Sequence, residues 1–301
     1  MALLDGPVTV TVPATSANLG PGFDALGLAL ALRDRLEAEV LPRGLVVEVH
    51  GAGADAVPRD ETHLVVRSMR AGFEALGVSP AGLRLTCHNV VPHARGLGSS
   101  SAAIVGGLGL ARALVEDGAA LLDDDALFRL AATIEGHPDN VAPACFGGFV
   151  ISGRDAGAFY AVRAGLDPQI GAVVLVPPDG VETEVARGLL PAQVPHADAA
   201  ANAGRAALLV AALAGRPEHL LRGTRDLLHQ DYRRPAMPAT LDLVEALRAD
   251  GVPAIVSGAG PTVLAFTGGP EAASSADVLA RCPHGWSAQH LELDTRGMVA
   301  E

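Results

Sequence analysis

A chain of 301 residues exceeds the usual size of a single core, so two domains are expected. With 49% hydrophobic and 19% charged residues it can bury sizeable cores and is not a disordered chain. A formal net charge of −12 disfavours nucleic acid or an anionic membrane as a partner. It leaves an anionic nucleotide open, because backbone amides and a metal can invert the field at one site.

The chain contains no lysine: all 22 basic residues are arginine. That excludes a P-loop of the G-x-x-x-x-G-K-[ST] type, a protein-kinase strand lysine and a pyridoxal-phosphate Schiff base. Cys87, Cys145 and Cys282 are odd in number and lack metal-ligand spacing, so neither a disulfide framework nor a zinc site is expected. The first residues carry no basic region ahead of an apolar stretch, and the apolar run 206–215 is too short to span a bilayer. A reduced cytoplasm is the expected compartment.

In chain order, residues 8–12 form a β-branched run, a strand predicted to end at Pro13. Pro13-Ala14-Thr15-Ser16-Ala17-Asn18-Leu19-Gly20-Pro21-Gly22-Phe23-Asp24 is then dense in Gly, Pro and small polar residues. It reads either as a solvated turn or, beside a second ligand loop, as a place where Asn18 and Asp24 hold a small polar substrate. Residues 45–50 alternate as a strand, and 62–76 have helical spacing of Leu64, Val65, Met69, Phe73 and Leu76.

Residues 83–87 alternate as a strand and 102–115 have helical spacing. Between them stands Pro92-His93-Ala94-Arg95-Gly96-Leu97-Gly98-Ser99-Ser100-Ser101-Ala102. Glycines in a strand-to-helix turn admit a ligand close to the backbone, and the start of a helix attracts phosphate. The alternative is a glycine turn with serine caps, although three consecutive serines exceed what capping needs. Ser99 or Ser100 could offer a hydroxyl to a magnesium ion that bridges phosphates.

A helix over 123–134 begins with acidic residues, as its dipole prefers. It ends in Glu135-Gly136-His137-Pro138-Asp139-Asn140-Val141-Ala142-Pro143. Those polar residues either complete a metal and substrate site or satisfy backbone groups around a Gly-Pro break. Residues 146–151 and 159–163 read as paired strands about a turn at 153–157, and the N-terminal domain is expected to close near residue 165.

The second half opens with a strand over 171–176 and a polar segment holding Thr183 and Arg187. Helices are predicted over 199–215, 218–228 and 240–249, with His229-Gln230-Asp231-Tyr232-Arg233-Arg234 before the last of them. Strands at 254–256 and 263–266 flank Ser257-Gly258-Ala259-Gly260-Pro261-Thr262. A helix over 271–281 and a strand over 288–293 close the chain. This β-α-α-β-β-α-β rhythm predicts an α+β sandwich rather than a second doubly wound sheet.

The three glycine-rich loops at 13–24, 92–102 and 257–262, in this order and spacing, resemble the signature motifs of the GHMP small-molecule kinases. The resemblance covers essentially the whole chain. Within that superfamily, residues 14–24, Gly136-His137-Pro138-Asp139-Asn140-Val141-Ala142-Pro143 and Tyr232-Arg233 are most similar to the homoserine kinase family. It implies an α+β two-domain fold. The domain over 1–165 would be like ribosomal S5 domain 2, and the domain over 166–301 ferredoxin-like.

The resemblance further implies ATP as cofactor, with its phosphates against Pro92, Arg95, Gly96, Leu97, Gly98, Ser99, Ser100 and Ser101, and His63 on the adenine side. Mg2+ would be held by Ser100 and Glu135. Substrate contacts would fall on Asn18, Asp24, His137, Asp139, Asn140, Thr183, Arg187, Arg233 and Gly260. Arg187 and Arg233 suit a carboxylate in a bidentate fork, and Asp24 suits an ammonium. Arg234 beside Arg233 leaves two candidates for the second fork.

Several members of the superfamily place a basic aspartate where this chain has Asn140, which cannot take a proton. Catalysis by Asn140 and Arg187 is therefore expected to rest on positioning and electrostatics. The chain also departs at His63, where Asn is frequent, and at Arg95, where a small residue is. The implied activity is ATP-dependent phosphorylation of the side-chain hydroxyl of L-homoserine, on the way to threonine. The alternatives are a sister kinase of another small alcohol and a non-catalytic nucleotide or metabolite sensor. The implied partners are small molecules, with neither nucleic acid nor membrane, and a homodimer is compatible.

Overall fold

A computed structural model describes residues 2–268 and 273–301. Its first half runs β1 (Val8–Ala17), β2 (Leu26–Leu41), β3 (Gly44–Gly51), α1 (Leu64–Ala75), β4 (Gly82–Asn89), α2 (Ser99–Ala113), α3 (Gly118–Leu121), α4 (Asp124–Glu135), α5 (Val141–Phe146), β5 (Phe149–Asp155) and β6 (Ala158–Ala164). The second half runs β7 (Gly171–Val176), α6 (Thr183–Gly188), α7 (His196–Leu213), α8 (Leu220–Gly223), α9 (Pro238–Ala249), β8 (Ala254–Val256), β9 (Val263–Thr267), α10 (Ser275–Leu279), β10 (Ser287–Leu291) and β11 (Val299–Ala300).

The first sheet has the order β11-β1-β2-β4-β3, with β5 also pairing β2 and β6 pairing β5. Only β3 and β4 run parallel, joined by the crossover through α1. Helix α2 is apolar on nearly every side because it is enclosed, and ten of its residues are buried. Two glycines let it sit close to α1. A Cβ at Gly107 would press on Ser68 and the Val65 carbonyl, and one at Gly72 would press on Ala111. Burying α2 in this way fixes its N-terminal serines in space.

The second sheet has the order β10-β7-β9-β8 and is antiparallel throughout. Counted within this half, that is the 4-1-3-2 arrangement of an α+β sandwich. Residues alternate between its faces with period two. Val173, Leu175, Val263 and Ala265 pack with Leu241, Val244 and Val278 of α9 and α10. Ala172, Val174, Leu264 and Phe266 pack instead with Leu209 of α7 and with Leu19, Leu28 and Leu97 of the first half. The two halves therefore share a core. Among the described residues no helix is long and apolar enough to cross a membrane.

Four expectations are corrected. Strand β1 does not stop at Pro13 but continues to Ala17, with a register shift between Pro13 and Ala14. A bulge relieves the ladder where proline has no N–H to donate. The helix expected over 218–228 shrinks to α8, because the Asp226 carboxylate accepts from the backbone N–H groups of Leu228, His229 and Gln230 and folds the chain into a turn. Phe146 ends helix α5 rather than opening a strand, since Gly147 and Gly148 at positive φ intervene. Of the helix expected over 271–281, residues 271–272 lie outside the described residues, and α10 occupies 275–279.

Candidate active site

The three glycine-rich loops meet. Ser257 Oγ donates to the Gly96 carbonyl at 2.6 Å and is hydrogen-bonded to Ser16 Oγ at 2.8 Å, and Asn18 Nδ2 donates to the Gly258 carbonyl at 2.8 Å. Two cavities open beside them, of about 270 Å³ and about 300 Å³, and both are lined by Ser99 and Ser100. The smaller holds Asn18, Glu135, His137, Asn140, Arg187 and Arg233 among its walls. The larger is walled by Asp34, His63, Leu64, Val65 and His93.

The loop between them is held in shape before any ligand arrives. Gly96 and Gly98 have φ of 74° and 72°, the left-handed region that favours glycine. A Cβ at Gly98 would overlap Thr15 Oγ1, and one at Gly96 would overlap the Ser257 carbonyl. Buried Asp34 accepts from the N–H groups of Val90 and Val91 at 2.6 and 2.9 Å, fixing the approach to the loop. Burial pushes its carboxyl up, against the pull of those amides and of His93.

The loop ends on α2, whose first turn points toward Glu135, the last residue of α4. Ser100 Oγ and Ser101 Oγ both donate to Glu135 Oε1, at 2.6 and 3.0 Å. One carboxylate with hydroxyls beside an open helix N-terminus is a hard oxygen set. It suits a magnesium ion that takes its remaining ligands from phosphate and water. Among the described residues no group of three His, Cys, Asp or Glu side chains stands together as an all-protein metal cage.

Across the smaller cavity stand two guanidiniums. Arg187 Nη2 and Nη1 donate to Asp24 Oδ1 and Oδ2 at 2.6 and 3.2 Å, a bidentate pair in which both side chains are half-exposed. Arg233 is 1% exposed, donates from Nη1 to His229 Nδ1 and to the Gly258 carbonyl, and among the described residues makes no ion pair with a carboxylate. Its Nε is buried without a hydrogen bond. Burial, reinforced by the charge of Arg187, lowers its pKa to about 10. Both guanidiniums lie over the Phe23 ring, at 5.6 and 5.7 Å from its centroid. A buried cation without a direct ion pair favours an incoming anion.

On the third side, His137 Nδ1 and Asp139 Oδ1 are 2.8 Å apart, and Asp139 also accepts from the Asn140 N–H. Burial works against the imidazolium, but the hydrogen bond and charge of Asp139, with Glu135, outweigh it and raise the His137 pKa. Asn140 Oδ1 accepts from Thr15 Oγ1 at 2.8 Å. Thr183, at the start of α6, completes the wall.

Not every expected residue faces the cavities. Leu97 is in the core, and its carbonyl accepts from the Thr15 N–H. Arg95 donates to the carbonyls of His93, Pro177 and Pro178, tying the loop to the second half instead of lining either cavity. Pro92 and Gly260 line neither, and Asp24 reaches the site through Arg187. Arg234 pairs with Asp242 and Glu245, so Arg233 is the buried fork. Sequence reasoning passed over Thr15, Phe23, His229 and Gly258. Thr15 and Phe23 lie inside a quoted loop, while His229 carried no signal beyond its place four residues before Arg233.

This fold and its glycine-serine loop are those of a small-molecule kinase. Residues 63–148 match the family model described as GHMP kinases N terminal domain, and residues 206–282 match GHMP kinases C terminal. A homoserine kinase of Streptomyces avermitilis is 57% identical over 291 residues, covering 96% of this chain and 94% of that protein. The crystal structure of homoserine kinase from Cytophaga hutchinsonii superposes with a TM-score of 0.87 at 25% identity, over 100% of this chain and 99% of that one. The structure of a putative homoserine kinase from Listeria monocytogenes gives 0.76 at 29% identity, over 98% and 99%. The chain belongs to the homoserine kinase family of the GHMP kinases.

Proposed function

We infer that the protein transfers the γ-phosphoryl group of ATP to the side-chain hydroxyl of L-homoserine, yielding O-phospho-L-homoserine for threonine synthesis. The observation that carries the substrate reading is Arg233, a buried guanidinium that makes no ion pair among the described residues, beside the Asp24–Arg187 pair. A zwitterion offers each of the three a partner. Its carboxylate is taken by Arg233 and Arg187, and its ammonium by Asp24. The short hydroxyl arm then lies toward Asn140 and Ser100, which line the same cavity.

The larger cavity, with His63 in its wall, takes the nucleoside, and the Gly96–Ser100 turn takes the phosphates with its amides. Ser100 and Glu135 would hold Mg2+, which would supply neutralisation of the phosphate charge. Asn140, anchored by Thr15, and Arg187 position and stabilise the transferring group, and the hydroxyl proton leaves to phosphate oxygen or solvent. We place the domain boundary near residue 165 and the protein in the cytoplasm, where its cysteines stay reduced.

The test is ADP release with Mg2+ and ATP against L-homoserine, L-serine, mevalonate, shikimate and galactose, for wild type and Arg233→Ala. Turnover confined to L-homoserine and collapsing in the variant supports the reading. Turnover with another alcohol overturns the substrate, and none with any alcohol overturns the activity.

A further inference from the structure

A cavity larger than either of those beside the glycine-serine loop lies apart from the candidate active site. It measures about 1230 Å³ and lies between α7, α8 and α9. Four arginines line it, Arg205, Arg222, Arg225 and Arg248, in a chain with a net charge of −12. Among the described residues none of the four is within ion-pair distance of a carboxylate. Arg205 Nη1 is buried without a hydrogen-bond partner. Arg248 is satisfied only by neutral oxygens, those of Thr224, Ala254 and Leu221.

Acidic residues also border the space, yet most are occupied. Glu218 pairs with Arg216, Glu245 pairs with Arg234, and the Asp226 carboxylate caps three backbone N–H groups. Asp231 is the remaining carboxylate in the wall. Burial, then the charges of Arg225 and Arg205, depress the pKa of Arg248 to about 10, so the guanidiniums feel one another. Leu208, Leu241 and Val244 form an apolar floor. Guanidinium forks that share a cavity wall with apolar side chains match a ligand with an oxyanion head and a carbon body.

The geometry points to a second anion site here, taking a small molecule that carries a phosphate or carboxylate group and acting on the active site through a shared wall. The wall is the segment 226–233. On one side, Asp226, Gln230 and Asp231 face the arginine cavity. On the other, Arg233 lines the active-site cavity and is held from behind by buried His229. Gln230 Oε1 accepts from the Val256 N–H at 2.6 Å, two residues before the Gly258 carbonyl that receives both Arg233 and Asn18. An anion drawn onto Arg225 moves the segment that sets Arg233. The inference does not depend on which alcohol the active site takes.

The test is calorimetric titration of the full chain with inorganic phosphate and, separately, succinate, at constant ionic strength. Mg2+ and a non-hydrolysable ATP analogue are kept saturating so that the phosphate loop is filled. One of the two anions is expected to bind at a single site. Arg205→Gln and Arg225→Gln each weaken it at least tenfold, while Arg233→Ala leaves it within twofold. Phosphate binding alone assigns the phosphate-ester class, and succinate binding alone the carboxylate class. Arg225 is exposed, so its variant keeps the test open should Arg205→Gln fail to fold. The proposal is overturned if neither anion binds, if both glutamine variants bind like wild type, or if Arg233→Ala abolishes binding. It is equally overturned if the glutamine variants instead split an oligomer in sedimentation, which would make this face a contact between copies.

Discussion

Arg233 Nη1 donates to Nδ1 of His229 at 3.0 Å, and the two side chains are 1% and 0% exposed. A guanidinium can only donate, so the imidazole proton resides on Nε2, which donates to the Gly20 carbonyl at 2.8 Å. The histidine thereby ties the buried fork to the first glycine-rich loop and sets its angle in the cavity. In His229→Leu, Arg233 and the Gly20 carbonyl each lose a partner. A hydrogen bond to a charged group is worth about 1.5–3 kcal/mol, so KM for the alcohol should rise roughly ten- to hundredfold. Steady-state ADP release would show kcat changing far less. An equal fall in kcat with KM untouched would remove His229 from this role.

The Asp24–Arg187 pair behaves differently because its side chains are 40% and 36% exposed. Pairs with that much solvent contribute about 0–1 kcal/mol to stability, so Asp24→Asn should barely move the thermal midpoint. The same substitution removes the counter-charge for a substrate ammonium, and KM should climb tenfold or more. A large loss of stability with KM unchanged would make the pair a structural brace.

These two cases mark how far the sequence could be read. Glycine and serine spacing places the phosphate loop on α2, because such a turn needs glycine wherever φ is positive and Cβ would collide. The α+β sandwich of the second half follows from its β-α-α-β-β-α-β rhythm. What stays illegible is set by side-chain contacts that apolar spacing does not carry. The apolar spacing of 218–228 is helical, yet the Asp226 carboxylate captures three backbone N–H groups and breaks the helix. Arg95 stands in the loop that approaches phosphate, yet carbonyls of residues 177–178 claim it. Arg233 and Arg234 are equivalent in sequence. Only the positions of Asp242 and Glu245, eight and eleven residues further on in α9, draw Arg234 outward.

Gly98→Ala tests the loop by sterics alone. At φ of 72° an alanine carries roughly 1–2 kcal/mol of backbone strain, and its Cβ would overlap Thr15 Oγ1. Thr15 cannot yield without releasing Asn140. We expect a thermal midpoint lowered by several degrees and a loss of ATP affinity of tenfold or more in a binding titration. Wild-type affinity in the variant would mean that the turn does not cradle phosphate.

Glu135→Gln keeps the shape of the side chain that receives Ser100 and Ser101 but removes its charge. If that charge holds magnesium, the concentration of Mg2+ needed for half-maximal rate should rise at least tenfold. Saturating metal would then restore part of kcat. Ser100→Ala should act in the same direction, and more strongly than Ser101→Ala, whose hydroxyl sits farther from Glu135. A fall in kcat that no Mg2+ concentration relieves would place Glu135 outside the metal shell.

The two histidines of the site titrate with opposite signs. Against desolvation, Asp139 and Glu135 raise the folded pKa of His137 above its unfolded value near 6.5. The folded protein then holds a proton that the unfolded chain has released. The His137–Asp139 pair stabilises fully below about pH 6.5, and that contribution is lost as pH rises through the folded pKa. Burial instead lowers the folded pKa of His229, so the unfolded chain takes up the extra proton, and stability falls as pH drops below about 6.5. Thermal midpoints between pH 5 and 9 should therefore separate the two. His137→Gln flattens the alkaline slope relative to wild type, and His229→Gln flattens the acid slope. Parallel profiles for His137→Gln and wild type on the alkaline side would show that Asp139 does not hold a proton on His137.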